Sequence, residues 1–297
     1  MGKYSIKDLE NVSGIKAHTI RIWEKRYKLI EPKRTNTNIR YYSECDLRRL
    51  LNISILNHNG LKISQIAAMD EEEIKRRVFD VTMESKSENV QLENLMAGML
   101  ELEEVKILNT ISANIIKEGF ESTFENLLLP FIDRITCLWQ TGTVISAQKQ
   151  FVLNLIRRKL VVAIDNEARG LIGSGPRMVM FLPEHETDEI ELTFYNYMAR
   201  KENFEVIYLG KSVKQNDLRI LNNVKQADVF MTVFTSQYSA ELLEKQMSEY
   251  RMQFPSTPFL VGGRQIKSLQ LHFPDGFSPI RSIKDFRDAV RVLKYSD

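Results

Sequence analysis

Hydrophobic and polar positions along this chain change period twice, and each change marks a different kind of structure. Near the start the apolar positions recur at helical spacing in short bursts. Ser5-Ile6-Lys7-Asp8 has the form of an N-terminal capping box with Asp in place of Glu, and Ile6, Leu9 and Val12 then share one helical face. Gly14 suits the positive φ of a sharp interhelical turn. A second helix is expected from about Lys16 to Tyr27, with Ile15, Ile20 and Trp23 inward and Lys16, His18, Thr19, Arg21, Lys25 and Arg26 outward. After Leu29 and Pro32, the polar stretch from Lys33 to Tyr42 sets turn formers between two β-prone ends, which predicts a small β-wing. Ser43-Glu44-Cys45-Asp46 resembles another capping box and leads into Leu47, Leu50, Leu51, Ile53 and Leu56. Gly60 punctuates that helix, and Ile63, Ile66 and Ala67 continue another.

Residues 70–88 are charged and read as a solvated helix and connector. From Leu92 to Ala168 the pattern is helical throughout. Leu95, Met99, Leu102, Val105 and Leu108 fit one face, Gly119 breaks the chain, Phe124, Leu127 and Leu128 begin a new run, and Trp139 and Gly142 precede a long helix from Val144 to about Glu167. These breaks predict a four-helix bundle. Residues 169–176 form a Gly-rich linker. Beyond it the period changes to short continuous apolar runs: Met178 to Leu182, Phe204 to Leu209, Val229 to Phe234 and Pro258 to Val261. Helical stretches near 188–202, 214–223 and 238–252 separate them. Strand–helix alternation predicts a doubly wound parallel sheet, with ligands expected at the loops after Leu182, Leu209, Phe234 and Val261.

Composition adds a direction to this plan. The 297 residues are 43% hydrophobic and 27% charged, as suits a globular chain, and net charge is only +2. Yet residues 1–50 hold 12 Lys/Arg against 6 Asp/Glu, while the remainder is net acidic. The basic end is where a polyanion would bind. No long apolar run predicts a membrane span, and Cys45 and Cys137 form no metal or disulfide framework, so the expected compartment is the cytoplasm.

The segment from Tyr4 to Leu50 resembles the N-terminal domain of MerR-family transcription regulators. The resemblance rests on Thr19-Ile20-Arg21-Ile22-Trp23-Glu24, Pro32, Arg34, Arg40, Tyr42 and Asp46-Leu47. It implies a winged helix-turn-helix that binds double-stranded promoter DNA as a dimer. Arg21, Arg34 and Arg40 would grip the phosphate backbone, Lys16, His18 and Thr19 would be placed for base contact, and Lys25 and Tyr42 complete the expected interface. The wing departs from the family's Gly-Tyr-Arg with Asn38-Ile39-Arg40.

With its bundle and doubly wound tail, the whole chain resembles the cobalamin-dependent, light-responsive repressors of CarH/LitR type. That implies three domains: 1–75 for DNA, 76–170 as a helical cap and 171–297 as a cobalamin-binding-like α/β domain. Trp139, Glu186, Asp188, Thr235, Ser236, Gly262 and Gly263 then stand at the cofactor-contacting positions. Two of the family's contacts are changed. Its Glu-x-His-x-x-Gly motif falls on Glu186 to Glu191, with Asp188 for the histidine and Glu191 for the glycine. Its cap Glu-His pair is Lys149-Gln150. Imidazole suits cobalt better than a carboxylate does, so the resemblance favours a lost or altered cofactor, with a protein or small-molecule effector instead. His185, three residues upstream of Asp188, is the one rescue candidate, and it could reach a metal only if its loop shifted. Two alternatives are a repressor that still binds adenosylcobalamin base-on or weakly, and a cobalamin-dependent enzyme fragment. The acidic run 184–191 shows no catalytic pairing and reads as a solvated helix start.

Overall fold

The structure, a computed structural model, describes residues 4–13, 15–34, 40–84, 90–168, 175–236 and 238–295. The chain divides into two compact units, residues 1–155 and 156–297. The expected turn at Gly14, the wing tip around Asn38-Ile39 and most of the Gly-rich linker lie outside the described residues.

The first unit opens with α1 (Ile6–Ser13) and α2 (Ala17–Tyr27), then the antiparallel pair β1 (Lys33–Arg34) and β2 (Arg40–Tyr41). Next come α3 (Glu44–His58), α4 (Ile63–Ile66) and α5 (Glu71–Glu84). Both capping boxes form. The Ser5 hydroxyl accepts the Asp8 amide at 3.2 Å while the Asp8 carboxylate accepts the Ser5 amide at 2.7 Å. Ser43 and Asp46 repeat the exchange at 3.2 and 2.8 Å. Leu9, Ile20, Tyr42, Ile53, Leu56 and Ile66 form a core with no exposed surface.

The helical region holds α6 (Val90–Leu100), α7 (Glu104–Glu118), α8 (Phe120–Thr123), a π-helical turn at Phe124–Leu128, α9 (Leu129–Gln140) and α10 (Ser146–Ala168), which runs on into the second unit. The single face expected through Leu102 and Val105 is instead a helical hairpin. Leu102 takes a left-handed φ of 56°, and Leu102 and Val105 are exposed at 54% and 71%. Gly98 explains the reversal, since a Cβ there would lie 2.8 Å from Ile107 Cγ1. The missing side chain lets α7 return closely against α6, burying Ile107, Ile111 and Asn114 instead.

The second unit is a five-stranded parallel sheet, β3 (Arg177–Pro183), β4 (Glu205–Val213), β5 (Val229–Val233), β6 (Phe259–Gly262) and β7 (Phe277–Pro279), in the order β4-β3-β5-β6-β7. Helices α11 (Ile190–Lys201), α12 (Gln215–Val224), α13 (Ala240–Gln253), α14 (Arg264–Ser268) and α15 (Ile283–Tyr295) flank it. Alternate strand residues supply its two faces. Val179, Phe181, Phe230, Phe259 and Val261 pack with Leu243, Met247 and Tyr250 of α13. On α11 and α15, Tyr195 and Phe286 bring their rings to 4.7 Å. The fold class matches the sequence expectation, but β7 and the last two helices were not foreseen. β7 is three residues long, with Phe277 alone buried and stacked 4.6 Å over Phe259. β4 also runs on past Leu209 to Val213, through register shifts against β3.

Candidate nucleic-acid interface and effector crevice

Helix α2 turns Ile20 and Trp23 into the core and leaves His18, Arg21, Lys25 and Arg26 exposed, with Thr19 half-buried. Lys16 stands just ahead of the first turn, and its Nζ lies 3.2 Å from Glu10 Oε1. The other Glu10 oxygen accepts the Ala17 amide at 3.2 Å. The Lys16 ammonium, and after it that amide, hold the Glu10 carboxyl below the usual carboxylate range. Lys16 therefore braces α1 against the start of α2. On the wing, Arg34 of β1 is paired in register with Arg40 of β2, and both are exposed. Glu24, which closes the motif carrying the resemblance but was given no role there, is a hub. Its carboxylate lies 3.8 Å from Arg40 Nε and accepts the Tyr42 hydroxyl at 3.2 Å, tying wing to helix.

Tyr42 corrects an expectation. It is fully buried, and its backbone exchanges hydrogen bonds with Tyr4 at 3.0 and 2.8 Å. It anchors the end of the wing and presents nothing to DNA. Burial first, and then the Glu24 carboxylate, push its phenol up to about 12. The neutral phenol is the form the fold favours. Its contribution is full below pH ~10 and is lost as pH rises from ~10 to ~12, at up to about 1.4 kcal/mol per pH unit. Denaturant unfolding at pH 9 and 11.5 should show a loss in wild type that Tyr42→Phe reduces by about 2 kcal/mol. Equal losses in both proteins would refute this.

In the second unit the strand order reverses at β3, with β4 on one side and β5 on the other. Open α/β sheets bind ligands at the carboxyl ends of strands beside such a switch point. Here the loops are those that follow Pro183 of β3 and Val233 of β5. The Glu186 carboxylate lies between them, fully buried. It accepts the Thr235 amide at 3.0 Å, the Thr235 hydroxyl at 2.6 Å, the Ser236 amide at 3.1 Å and the Ser236 hydroxyl at 3.2 Å. Tyr238 also hydrogen-bonds to it, and burial, followed by that carboxylate, pushes the Tyr238 phenol up to about 12. Three expected cofactor residues, Glu186, Thr235 and Ser236, do come together, but they satisfy one another.

The remaining candidates are likewise engaged. Asp188 Oδ1 accepts the Ile190 amide at 3.3 Å, at the start of α11. Glu189 pairs with Arg157 of α10 at 3.0 Å and Lys211 of β4 at 3.4 Å. Glu191 pairs with Lys267 of α14 at 3.1 Å and accepts the Tyr195 hydroxyl at 3.1 Å. The acidic run is therefore not the solvated helix start expected from sequence; it is tied to several other elements. Gly262 and Gly263 are buried, and a Cβ on Gly263, whose φ is +100°, would stand 2.4 Å from the Phe234 carbonyl oxygen. The missing side chain of Gly263 serves backbone packing against the end of β5, whereas a Cβ on Gly262 would meet nothing nearer than Met231 Cε at 3.4 Å. His185 is exposed with φ +75°, and among the described residues no group of three or more His, Cys, Asp or Glu could hold a metal.

In the first unit, the Lys149 ammonium lies 4.3 Å from the centre of the Trp139 ring. Lys149 is 9% exposed while Gln150 is exposed. One face of the indole is thus covered by the chain's own cation, an interaction worth ~0.5–2 kcal/mol. These residues do not fit a histidine-ligated corrin. The histidine position holds a carboxylate that accepts a helix amide, the glycine position holds an ion-paired glutamate, and the cap tryptophan carries a lysine.

Residues 4–73 match the MerR HTH family regulatory protein model. Over 275 residues the chain is 24% identical to the HTH-type transcriptional repressor CarH of Myxococcus xanthus, covering 90% of this chain and 91% of that protein. It is 30% identical over 66 residues to the HTH-type transcriptional regulator MlrA of Escherichia coli, covering 22% of this chain and 27% of that protein. Among solved structures, a cobalamin-binding protein from Desulfitobacterium hafniense aligns with a TM-score of 0.33 at 15% identity, covering 68% of this chain and 96% of that one. Residues 4–73, with their two capping boxes and antiparallel wing strands, are thus a region similar to the MerR HTH family, and a doubly wound parallel α/β domain follows later in the chain.

Proposed function

We propose that this protein is a DNA-binding transcription regulator that grips double-stranded promoter DNA as a homodimer in the cytoplasm. The observation that carries the reading is the cross-strand pair Arg34 and Arg40 beside the cationic face of α2. In this reading residues 1–75 bind DNA. Arg21, Lys25, Arg34 and Arg40 meet phosphates, and Lys16, His18 and Thr19 stand near base edges. Residues 76–170 and 171–297 form a sensing half with no catalytic role. Similarity along nine-tenths of the chain to a protein named a transcriptional repressor supports this. Because Glu186, Asp188, Glu191 and Lys149 are engaged within the chain, the effector is a protein or a small molecule other than histidine-ligated cobalamin.

Gel-shift titration of the full chain against its own promoter region tests the DNA reading. Affinity should fall steeply with salt, and Arg21→Ala should weaken binding about tenfold and lower the salt slope by about one. Salt-insensitive binding, or Arg21→Ala indistinguishable from wild type, would refute it.

A further inference from the structure

We infer that Ile22 reads a thymine methyl group in the major groove and sets part of the sequence preference of the head. This rests on the DNA-binding reading above. Ile22 is 52% exposed, although it sits in the middle of α2. A lone exposed apolar side chain is ordinary on a protein surface, so exposure alone decides nothing. Its position does. At about 100° per residue, Ile20 and Trp23 mark the buried side of α2, and His18, Ile22 and Lys25 fall within an arc of about 60° on the opposite side. Arg21 and Arg26 flank that arc. Ile22 is thus the one large apolar side chain on a face otherwise made of His18, Arg21, Lys25 and Arg26, all exposed.

The cations on that face have partners on any duplex, because phosphate is everywhere along it. Ile22 can donate and accept nothing. The apolar group offered by base edges in the major groove is the thymine C5-methyl, so an aliphatic side chain discriminates there by contact. A β-branched residue also has poor helix propensity and few rotamers in a helix. Its side chain is therefore held in a fixed direction before DNA arrives, which suits readout more than helix stability.

The test uses the full-length protein and operator DNA selected from a random pool. Each thymine of the selected site is replaced in turn by uracil, which lacks only the methyl. For wild type, one thymine per half-site should lose about fourfold in affinity on this change, the value of one buried methyl-sized group. With Ile22→Ala that loss should vanish, while the salt dependence of binding stays as in wild type. Ile22 is exposed and alanine favours helix, so thermal unfolding should confirm an intact fold. Salt-dependent binding in which no uracil effect differs between the two proteins overturns this inference and leaves the DNA-binding reading standing. Absence of salt-dependent binding to any duplex overturns both.

Discussion

Replacing Glu186 by alanine is expected to destabilise residues 156–297 by about 3–5 kcal/mol, more than any other single change considered for this chain. The carboxylate is fully buried and accepts two backbone amides and two hydroxyls from Thr235 and Ser236. Alanine removes every acceptor at once. A donor left without a partner costs roughly 1–3 kcal/mol where water cannot reach it, and because Thr235 and Ser236 are half-buried, water entering between the loops recovers part of the total. Glu186→Gln keeps the volume but turns an amide NH₂ toward donors, so its cost should be smaller, about 2–3 kcal/mol. Denaturant unfolding of the full chain gives the loss, and hydrogen exchange of residues 229–236 gives its place. If Glu186 stood ready for a ligand and held nothing, the alanine variant would unfold at the wild-type midpoint.

What the sequence showed and what it hid divide along a physical line. The caps at Ser5–Asp8 and Ser43–Asp46 were legible because each is a local exchange across three residues. The same holds for the strands up to β6, whose apolar runs are continuous and bounded. Non-local facts stayed hidden. Tyr42 carries a polar tip and lies in the wing, so it read as an interface residue; its burial depends on Tyr4 and Glu24, far away in sequence. Val105 fits a helical face through Leu95, but the left-handed turn at Leu102 and the closeness allowed by Gly98 change which side is buried. Of the residues expected at the cofactor positions, Glu186, Thr235 and Ser236 come together. That Glu186 would be satisfied by Thr235 and Ser236 could not be read from spacing, since 49 residues separate Glu186 from Thr235.

Incubated with adenosylcobalamin in the dark and passed through a desalting column, the full-length protein should emerge without the pink or red colour of bound corrin. Two independent features oppose corrin binding, one in each unit. In the α/β unit, the switch-point loops are closed on each other by Glu186, and a corrin entering there would have to break four hydrogen bonds to a buried carboxylate. Asp188 and Glu191 add charge where imidazole and bare backbone would be needed, and Glu191 would have to release Lys267 and Tyr195. In the helical unit, the Trp139 face that a flat ligand would use already carries the Lys149 ammonium. Displacing that cation costs ~0.5–2 kcal/mol before any contact is gained. A coloured, stoichiometric protein fraction would overturn this and return cobalamin to the role of effector. A colourless fraction from a protein that still shifts promoter DNA leaves the α/β domain answering to another signal.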